Sequence, residues 1–365
     1  MTIGIDAGAL SVTDDRLKVG VYRVTESLVD ALVTSPSGPH LRRYAFGTMK
    51  KAHEYSERMT DVVIRPPTGY MQVRIPLELF FHPVDCFVAA SQVVPSWTGS
   101  PVLGCVYDLS FYREPDAYPG SYASLVAHTE HLVKKSNHIL TISEYVKADI
   151  VKRFAVAPDV ITVAYPPVDP RFRIEGQGHR HPRPYFLSVG ALKIGKHIPT
   201  MIKAFAHFSK DHPDIDLLIA GGDFWPDDHI ARTIKQHGLE SRVILLGHVA
   251  DDVLGGIYRS AIALLAVSPN EGFCLPAAES MASGIPVIGV SSGAMPETVG
   301  TGGILVAPDD TAAIAQAMSD IVAYPGKRNR LALRAKKESE RFIQHEFRTR
   351  VWEALQMTIA TNLYD

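Results

Sequence analysis

Cysteine is scarce: Cys86, Cys105 and Cys274 are the three in 365 residues, and none stands in a C-x-x-C pair. This excludes a disulfide framework, offers no structural zinc site and fits a reducing cytoplasm. Charge of one sign is not in excess either. A formal net charge of −2 is not that of a dedicated nucleic-acid binder, whose affinity rests on neutralising phosphates. No apolar run reaches membrane-spanning length, and Met1-Thr-Ile-Gly-Ile-Asp6 lacks the basic start and long apolar stretch of a signal peptide. A soluble cytoplasmic protein is expected, with peripheral contact at a membrane face left open. Three motifs are missing as well. Without G-x-x-x-x-G-K-[ST] a P-loop kinase or GTPase is disfavoured. Without G-x-G-x-x-G after the first strand, so is a nicotinamide dehydrogenase. Without G-x-S-x-G, so is an α/β-hydrolase.

What is present is alternation. Hydrophobic content of 46% with 21% charged residues is ordinary for a globular protein, and the length predicts two domains. Thr2–Ile5 reads as a strand, and the helix after Gly20 places Val24, Leu28, Val29, Leu32 and Val33 on one face. Arg42–Phe46 reads as a strand and the polar stretch Lys50–Thr60 as an exposed helix. Arg42, Arg43, Lys50, Lys51 and Arg58 read as a solvated face. Apolar runs from Asp85 and Val102 are buried-strand candidates. In the helix Ala117–Lys135, His128 and His131 read as solvated, since no third ligand stands nearby. Ser143 caps the helix after the strand Asn137–Ser143. Proline-rich Tyr165–Arg171 and helix-averse Gln177–Pro184 mark a domain boundary.

The same order then recurs. Strands start at Tyr185, Asp216, Val243 and Ala263, with helices Ile198–Lys210, Asp228–His237 and Asp251–Arg259 between them and a glycine turn at Gly221-Gly-Asp-Phe. Asp214-Ile-Asp216 has the spacing of a metal-binding pair but reads as an exposed strand start. The expected fold is α/β: two Rossmann-like doubly wound domains, residues 1–170 and 171–340, facing a ligand cleft, with a tail helix (341–365) returning to the first.

The richest stretch is Pro269-Asn-Glu271-Gly-Phe-Cys-Leu-Pro276-Ala-Ala-Glu279-Ser-Met-Ala-Ser-Gly284-Ile-Pro286. Pro276 suits a first helical turn and Gly284 with Pro286 a stop. Glu271 then precedes the helix and Glu279 rides on it. Amides before Pro276, with the positive end of the helix dipole, suit a phosphate. Two carboxylates beside an anion site suggest a ligand with hydroxyls and phosphate; the simpler reading is a dipole-complementing acid and a surface glutamate. In the Gly190–His197 loop, Lys196 is a second source of positive charge for a diphosphate, with no metal required.

These residues resemble the family 4 glycosyltransferases of the GT-B fold. Glu271 and Glu279 match the E-x7-E pattern, and the likeness continues through Met295-Pro-Glu297, Gly303-Ile-Leu-Val, Gly247-His-Val with Asp251, Ser143-Glu-Tyr, Pro166-Pro-Val-Asp-Pro-Arg-Phe, Asp108-Leu-Ser-Phe and Gly4-Ile-Asp-Ala. The resemblance implies a retaining hexosyltransferase using a nucleoside-diphosphate sugar, GDP-mannose as first choice, with a glycan or lipid-linked oligosaccharide as acceptor. It implies that Glu271 meets the sugar hydroxyls, the amides of Gly272, Phe273, Cys274 and Leu275 the sugar and diphosphate, Glu279 the ribose, and Lys196 the diphosphate. Gly247, His248 and Val249 would lie near the base, and Gly20 and Gly190 would belong to the donor loops. Tyr107 and Asp108 would stand at the sugar, Tyr107 where many relatives have histidine. Ala191 and Gly195 stand where an arginine is common, and Lys18 and Val21 depart from the N-terminal glycine loop. Those departures leave two alternatives: a non-catalytic nucleotide-sugar-binding or partner subunit, and a nucleotide-sugar epimerase.

Overall fold

The computed structural model describes residues 1–12, 14, 20–34, 38–49, 56–222 and 228–361. The chain divides into two compact units, Met1–Pro167 with Ile343–Asp365, and Val168–Phe342. Lys18, Lys50, Lys51 and Asp223-Phe224 of the sequence reading lie outside the described residues.

The first unit is a seven-stranded sheet of β1 (Thr2–Asp6), β2 (His40–Ala45), β3 (Met59–Val63), β4 (Cys86–Ala89), β5 (Val102–Val106), β6 (His138–Thr141) and β7 (Ile161–Val163). Every pairing is parallel, and the order is β3-β2-β1-β4-β5-β6-β7. Helices α1 (Gly20–Val33), α2 (Ile75–Phe81), α3 (Tyr122–Lys135) and α4 (Glu144–Phe154) connect strands. The α4 start is capped as expected, Ser143 Oγ accepting from the Val146 amide at 3.1 Å. Strands β4 and β5 are buried at every residue, as a sheet covered on both faces requires. The terminal helix α12 (Gln344–Thr361) belongs to this unit. Its Trp352 Nε1 donates to Ala31 O at 3.1 Å, and its Gln344 Nε2 to Asp30 at 2.7 Å.

The second unit is a six-stranded parallel sheet. It is built from β8 (Tyr185–Val189), β9 (Asp216–Ala220), β10 (Val243–Gly247), β11 (Leu264–Ala266), β12 (Val287–Val290) and β13 (Gly303–Val306). Its helices are α5 (Ile198–Phe208), α6 (Asp228–Gln236), α7 (Asp251–Ser260), α8 (Leu275–Ala282), α9 (Met295–Val299), α10 (Thr311–Ala323) and α11 (Pro325–Ser339). The order β10-β9-β8-β11-β12-β13 reverses direction between β8 and β11, and ligands of open α/β sheets bind outside the carboxyl ends at such a reversal.

Three expectations are corrected. Met59 and Thr60 are not helical but open the edge strand β3. Arg43 is not solvated: it is buried and grips Asp61 with both ends of its guanidinium, at 2.7 and 2.9 Å. Asp216 is not exposed but buried among His181 (2.9 Å), Arg242 (2.9 Å) and Arg183 (3.4 Å). Burial raises its pKa, yet hydrogen bonds from His181 and Arg242 and the charge of Arg183 outweigh that and lower it.

Candidate active site

In the second unit, β8 ends at Val189 and the chain turns at Gly190, whose φ of +145° favours glycine. The Gly190 amide donates to Ala220 O at 2.9 Å, and the Gly221 amide to Gly247 O at 2.8 Å. Glycines thus sit side by side at the carboxyl ends of β8, β9 and β10. The loop beyond Gly190 is folded back, Leu192 N donating to Gly222 O at 3.1 Å and Ser268 Oγ to Gly195 O at 2.7 Å. Those two bonds set Lys196 at the reversal point. On its other side, the loop after β11 delivers Glu271, and Lys196 Nζ meets Glu271 Oε1 at 2.5 Å.

This contact is well shielded, the two side chains being 22% and 15% exposed. Burial alone pushes the Glu271 carboxyl up. The Lys196 ammonium and its hydrogen bond, with help from Lys193 and Ser268, outweigh it and hold the pKa below its usual value. Residues Ser188–Gly190, Lys196, Ile198, Met201, Leu265–Ser268, Glu271 and Cys274 line one crevice there. Its walls are mostly apolar with one ion pair, a composition typical of a small-molecule site.

The Glu271 loop is itself clamped. Ala294 N donates to Glu271 O at 2.9 Å and Ser292 Oγ to Pro269 O at 2.6 Å. A side chain at Gly293 would meet the Glu271 backbone at 3.0 Å. Cys274 follows with φ +73° and immediately precedes α8, which has Pro276 in its first turn; burial pushes its thiol up to about 12, so it stays protonated at neutral pH. Phe273, buried against Phe342 at 5.0 Å, and Gly272 complete the turn, and Leu275 is the first residue of α8. Glu279, on the next turn of α8, is buried and accepts from Tyr258 Oη of α7 at 2.9 Å. Gly247 ends β10 with φ +66°; His248 beside it is exposed and Val249 half-buried.

The remaining candidates lie in the first unit. Gly20 is an exposed first residue of α1. Tyr107 follows β5, is 6% exposed, and donates its hydroxyl to Ala90 O at 2.7 Å; burial pushes its phenol well above 10. Its proton is therefore already committed. Asp108 accepts from the Ser110 amide at 2.5 Å and the Ser110 hydroxyl at 2.7 Å, which closes a capped turn after β5. Gln92 holds both residues by their backbones, accepting from Tyr107 N at 3.2 Å and donating to Asp108 O at 3.2 Å.

Sequence reasoning missed Tyr258, Gln92, Ser268 and Lys193, because each acts on a residue that only the fold brings near. It also missed Asp6, at the carboxyl end of β1 where the first sheet reverses between β1 and β4. Asp6 is buried and accepts from Gly8 N at 3.0 Å and Tyr70 Oη at 3.3 Å. Burial raises its pKa against the pull of hydrogen bonds from Ser91, Gly8 and Tyr70. Among the described residues, no group of three or more His, Cys, Asp or Glu side chains is placed to hold a metal ion.

The class of domain that this sheet and crevice define has a sequence counterpart: residues 171–338 match the family model for glycosyl transferases group 1. Particular relatives sharpen it. Over 214 residues, 58% of this chain and 59% of the relative, the chain is 31% identical to the O-antigen chain mannosyltransferase RfbU of Salmonella typhimurium. It is 25% identical to the O-antigen chain mannosyltransferase B of Escherichia coli, over 57% of this chain and 58% of that one. The chain thus spans under two thirds of the length of these curated relatives. Among solved structures, sucrose-phosphate synthase from Thermosynechococcus elongatus superposes with a TM-score of 0.78 at 17% identity, covering 98% of this chain and 99% of that one. WaaG, a glycosyltransferase involved in lipopolysaccharide biosynthesis, gives 0.72 at 15% identity, covering 93% and 95%. HepE from Anabaena, solved with UDP and glucose, gives 0.73 at 15% identity, covering 97% and 99%. These superpositions show the fold, GT-B.

Proposed function

We propose that the protein is a retaining, metal-independent glycosyltransferase of the E-x7-E type, family 4, that moves a hexose from a nucleoside-diphosphate sugar to a hydroxyl of a glycan or lipid-linked oligosaccharide. The observation that carries this reading is the meeting of Lys196 and Glu271 at the reversal point of the second sheet, beside the start of α8. A cation and a helix N-terminus suit a diphosphate, and a carboxylate suits sugar hydroxyls. In the reaction the bond from the anomeric carbon to phosphate breaks and the acceptor oxygen bonds to that carbon on the same face. The acceptor proton passes to the leaving phosphate oxygen. Lys196 and the helix dipole stabilise the charge that builds there, a role largest in the transition state and supplied without a metal. The relatives named as O-antigen chain mannosyltransferases favour mannose as the sugar and GDP-mannose as the donor; a neighbour solved with UDP makes UDP the main competitor.

The test is thermal stabilisation by GDP, UDP, ADP and dTDP, followed by release of the same diphosphate from its sugar conjugate. At a hundredfold excess over Kd a native-state ligand adds about 2.7 kcal/mol, roughly 5 to 10 °C in Tm. GDP is expected to give that shift and GDP-mannose to be turned over. No shift with any diphosphate would sink the reading. A shift with no release would leave the binding-subunit alternative in its place.

Glu279 is assigned to the donor ribose, and Tyr258 is then its positioning residue. Tyr258→Phe removes one hydrogen-bond donor from the buried Glu279 carboxylate, a loss of about 1–3 kcal/mol. Because ribose contacts are the same in ground and transition states, KM for the donor should rise about tenfold with kcat nearly unchanged. Steady-state kinetics decide it: a fall in kcat at constant KM would remove Glu279 from the ribose.

A further inference from the structure

The first unit turns a large apolar face to solvent. A π-turn, Tyr70–Arg74, runs directly into α2, and the inward side of this stretch, Tyr70, Met71, Ile75 and Leu79, is buried as a globular protein requires. Its outward side is apolar too. Val73, Leu77, Phe80 and Phe81 are 63%, 58%, 67% and 66% exposed, and their spacing puts them on one helical face. Trp97, 48% exposed, extends the face: its ring lies 6.1 Å from that of Phe80, which stands edge-on to Phe81 at 5.4 Å. The loop carrying Trp97 is fastened alongside by Ser96 Oγ donating to Gln72 O at 2.6 Å. Isolated exposed apolar residues need no explanation, but a contiguous aromatic patch marks a surface that something covers.

The surrounding charge says what. Arg74 donates to Thr68 O and Arg65 O at 3.0 and 3.2 Å, which brings two cations to one end of the patch. At the other, Lys135 and Trp97 line the same hollow of about 240 Å³. From Ile64 to Val102 there are two carboxylates, Glu78 and Asp85. Glu78 is held by Arg42 at 3.1 Å and His82 at 3.0 Å, and Asp85 accepts from the Thr2 amide at 2.6 Å. In a chain of net charge −2, the apolar face is therefore rimmed by cations. A second copy of the chain, docked face to face, would set like charges against each other. Phenylalanine and leucine flanked by tryptophan, arginine and lysine match the boundary between anionic headgroups and acyl chains.

We propose that this face docks on an anionic lipid surface. Phe80, Phe81 and Leu77 enter the acyl boundary, while Arg65, Arg74 and Lys135 meet lipid phosphates. The reading rests on the first unit alone and stands or falls apart from the donor assignment.

The full chain is mixed with vesicles of pure phosphatidylcholine, or of phosphatidylcholine and phosphatidylglycerol in equal parts, and sedimented. Binding is expected to the anionic vesicles and to weaken as salt is raised. The double variant Phe80→Ser/Phe81→Ser should lose at least about tenfold in partition coefficient. Arg65→Gln/Lys135→Gln should lose severalfold and flatten the salt dependence. Leu333→Ser, an exposed apolar residue of the second unit, should bind like the parent, and an unchanged circular dichroism spectrum certifies that each variant is folded. The proposal is overturned if the parent stays in the supernatant with both vesicles, or if the phenylalanine double variant binds as well as the parent. It is equally overturned if sedimentation velocity finds a dimer that this variant dissociates while lipid binding is absent.

Discussion

Lys196→Ala is expected to lower kcat/KM for the sugar nucleotide by about 100- to 1,000-fold, the usual cost of deleting one preorganised group from a developing charge. It is also expected to destabilise the second unit. In the parent, Lys196 is the main reason Glu271 stays ionised in a shielded place. Removing one partner of such a pair strands the other, at a cost of about 3 kcal/mol, eased by the charge of Lys193.

The pH dependence fixes the sign. With Lys196 present, the folded pKa of Glu271 lies below its ordinary value of 4.5, so the pair's stabilisation is complete above that value and fades as pH falls through the folded pKa. With Lys196 gone, burial is the dominant influence, the folded pKa rises above the unfolded one, and the variant loses stability as pH climbs past 4.5. The Tm gap between parent and Lys196→Ala should therefore be full at pH 7 and narrow as pH falls below 4.5 toward the folded pKa of Glu271. Lys196→Ala/Glu271→Gln should regain much of the Tm and none of the activity, which separates the two roles. Unchanged kcat/KM in the single variant would remove Lys196 from the reaction.

How far this site could be read in advance depends on which interactions are local. Helix α8 and its neighbours were legible because Pro276, Gly284 and Pro286 punctuate the chain within a few residues, and alternating apolar runs announced the parallel strands. The Lys196–Glu271 bond joins residues 75 apart, so the sequence offered two separate binders of different groups, not a pair that tunes itself. Asp216 was misjudged for the same reason, its partners His181, Arg183 and Arg242 lying far along the chain. Strand β3 was hidden because it is an edge strand whose Thr60 and Asp61 face solvent. The stretch Tyr70–Phe81 was hidden for the opposite reason: with apolar residues on both sides, it shows no single stripe to find.

Gly221→Ala is expected to be the most damaging single-methyl change in the second unit. The conformation of Gly221 is one any residue can adopt, so the constraint is space alone. A Cβ there would stand 1.8 Å from Gly190 O and 2.6 Å from Gly190 C, backbone atoms that no rotamer change can move aside. Either β9 or the turn after β8 must shift, and overpacking of this kind costs about 3 kcal/mol, roughly 6 to 12 °C in Tm. Gly238→Ala is the matched control. Gly238 has φ +63° and nothing within 4 Å of an added methyl, so it carries conformational strain without a clash, about 1 kcal/mol and 2 to 4 °C. The two variants should also part in function. A displaced Gly190 moves the loop that delivers Lys196, so stabilisation by nucleoside diphosphate should weaken in Gly221→Ala and persist in Gly238→Ala. Equal melting of the two variants would show that the β8 and β9 ends have slack, and that the glycines beside the crevice are there for some reason other than close approach.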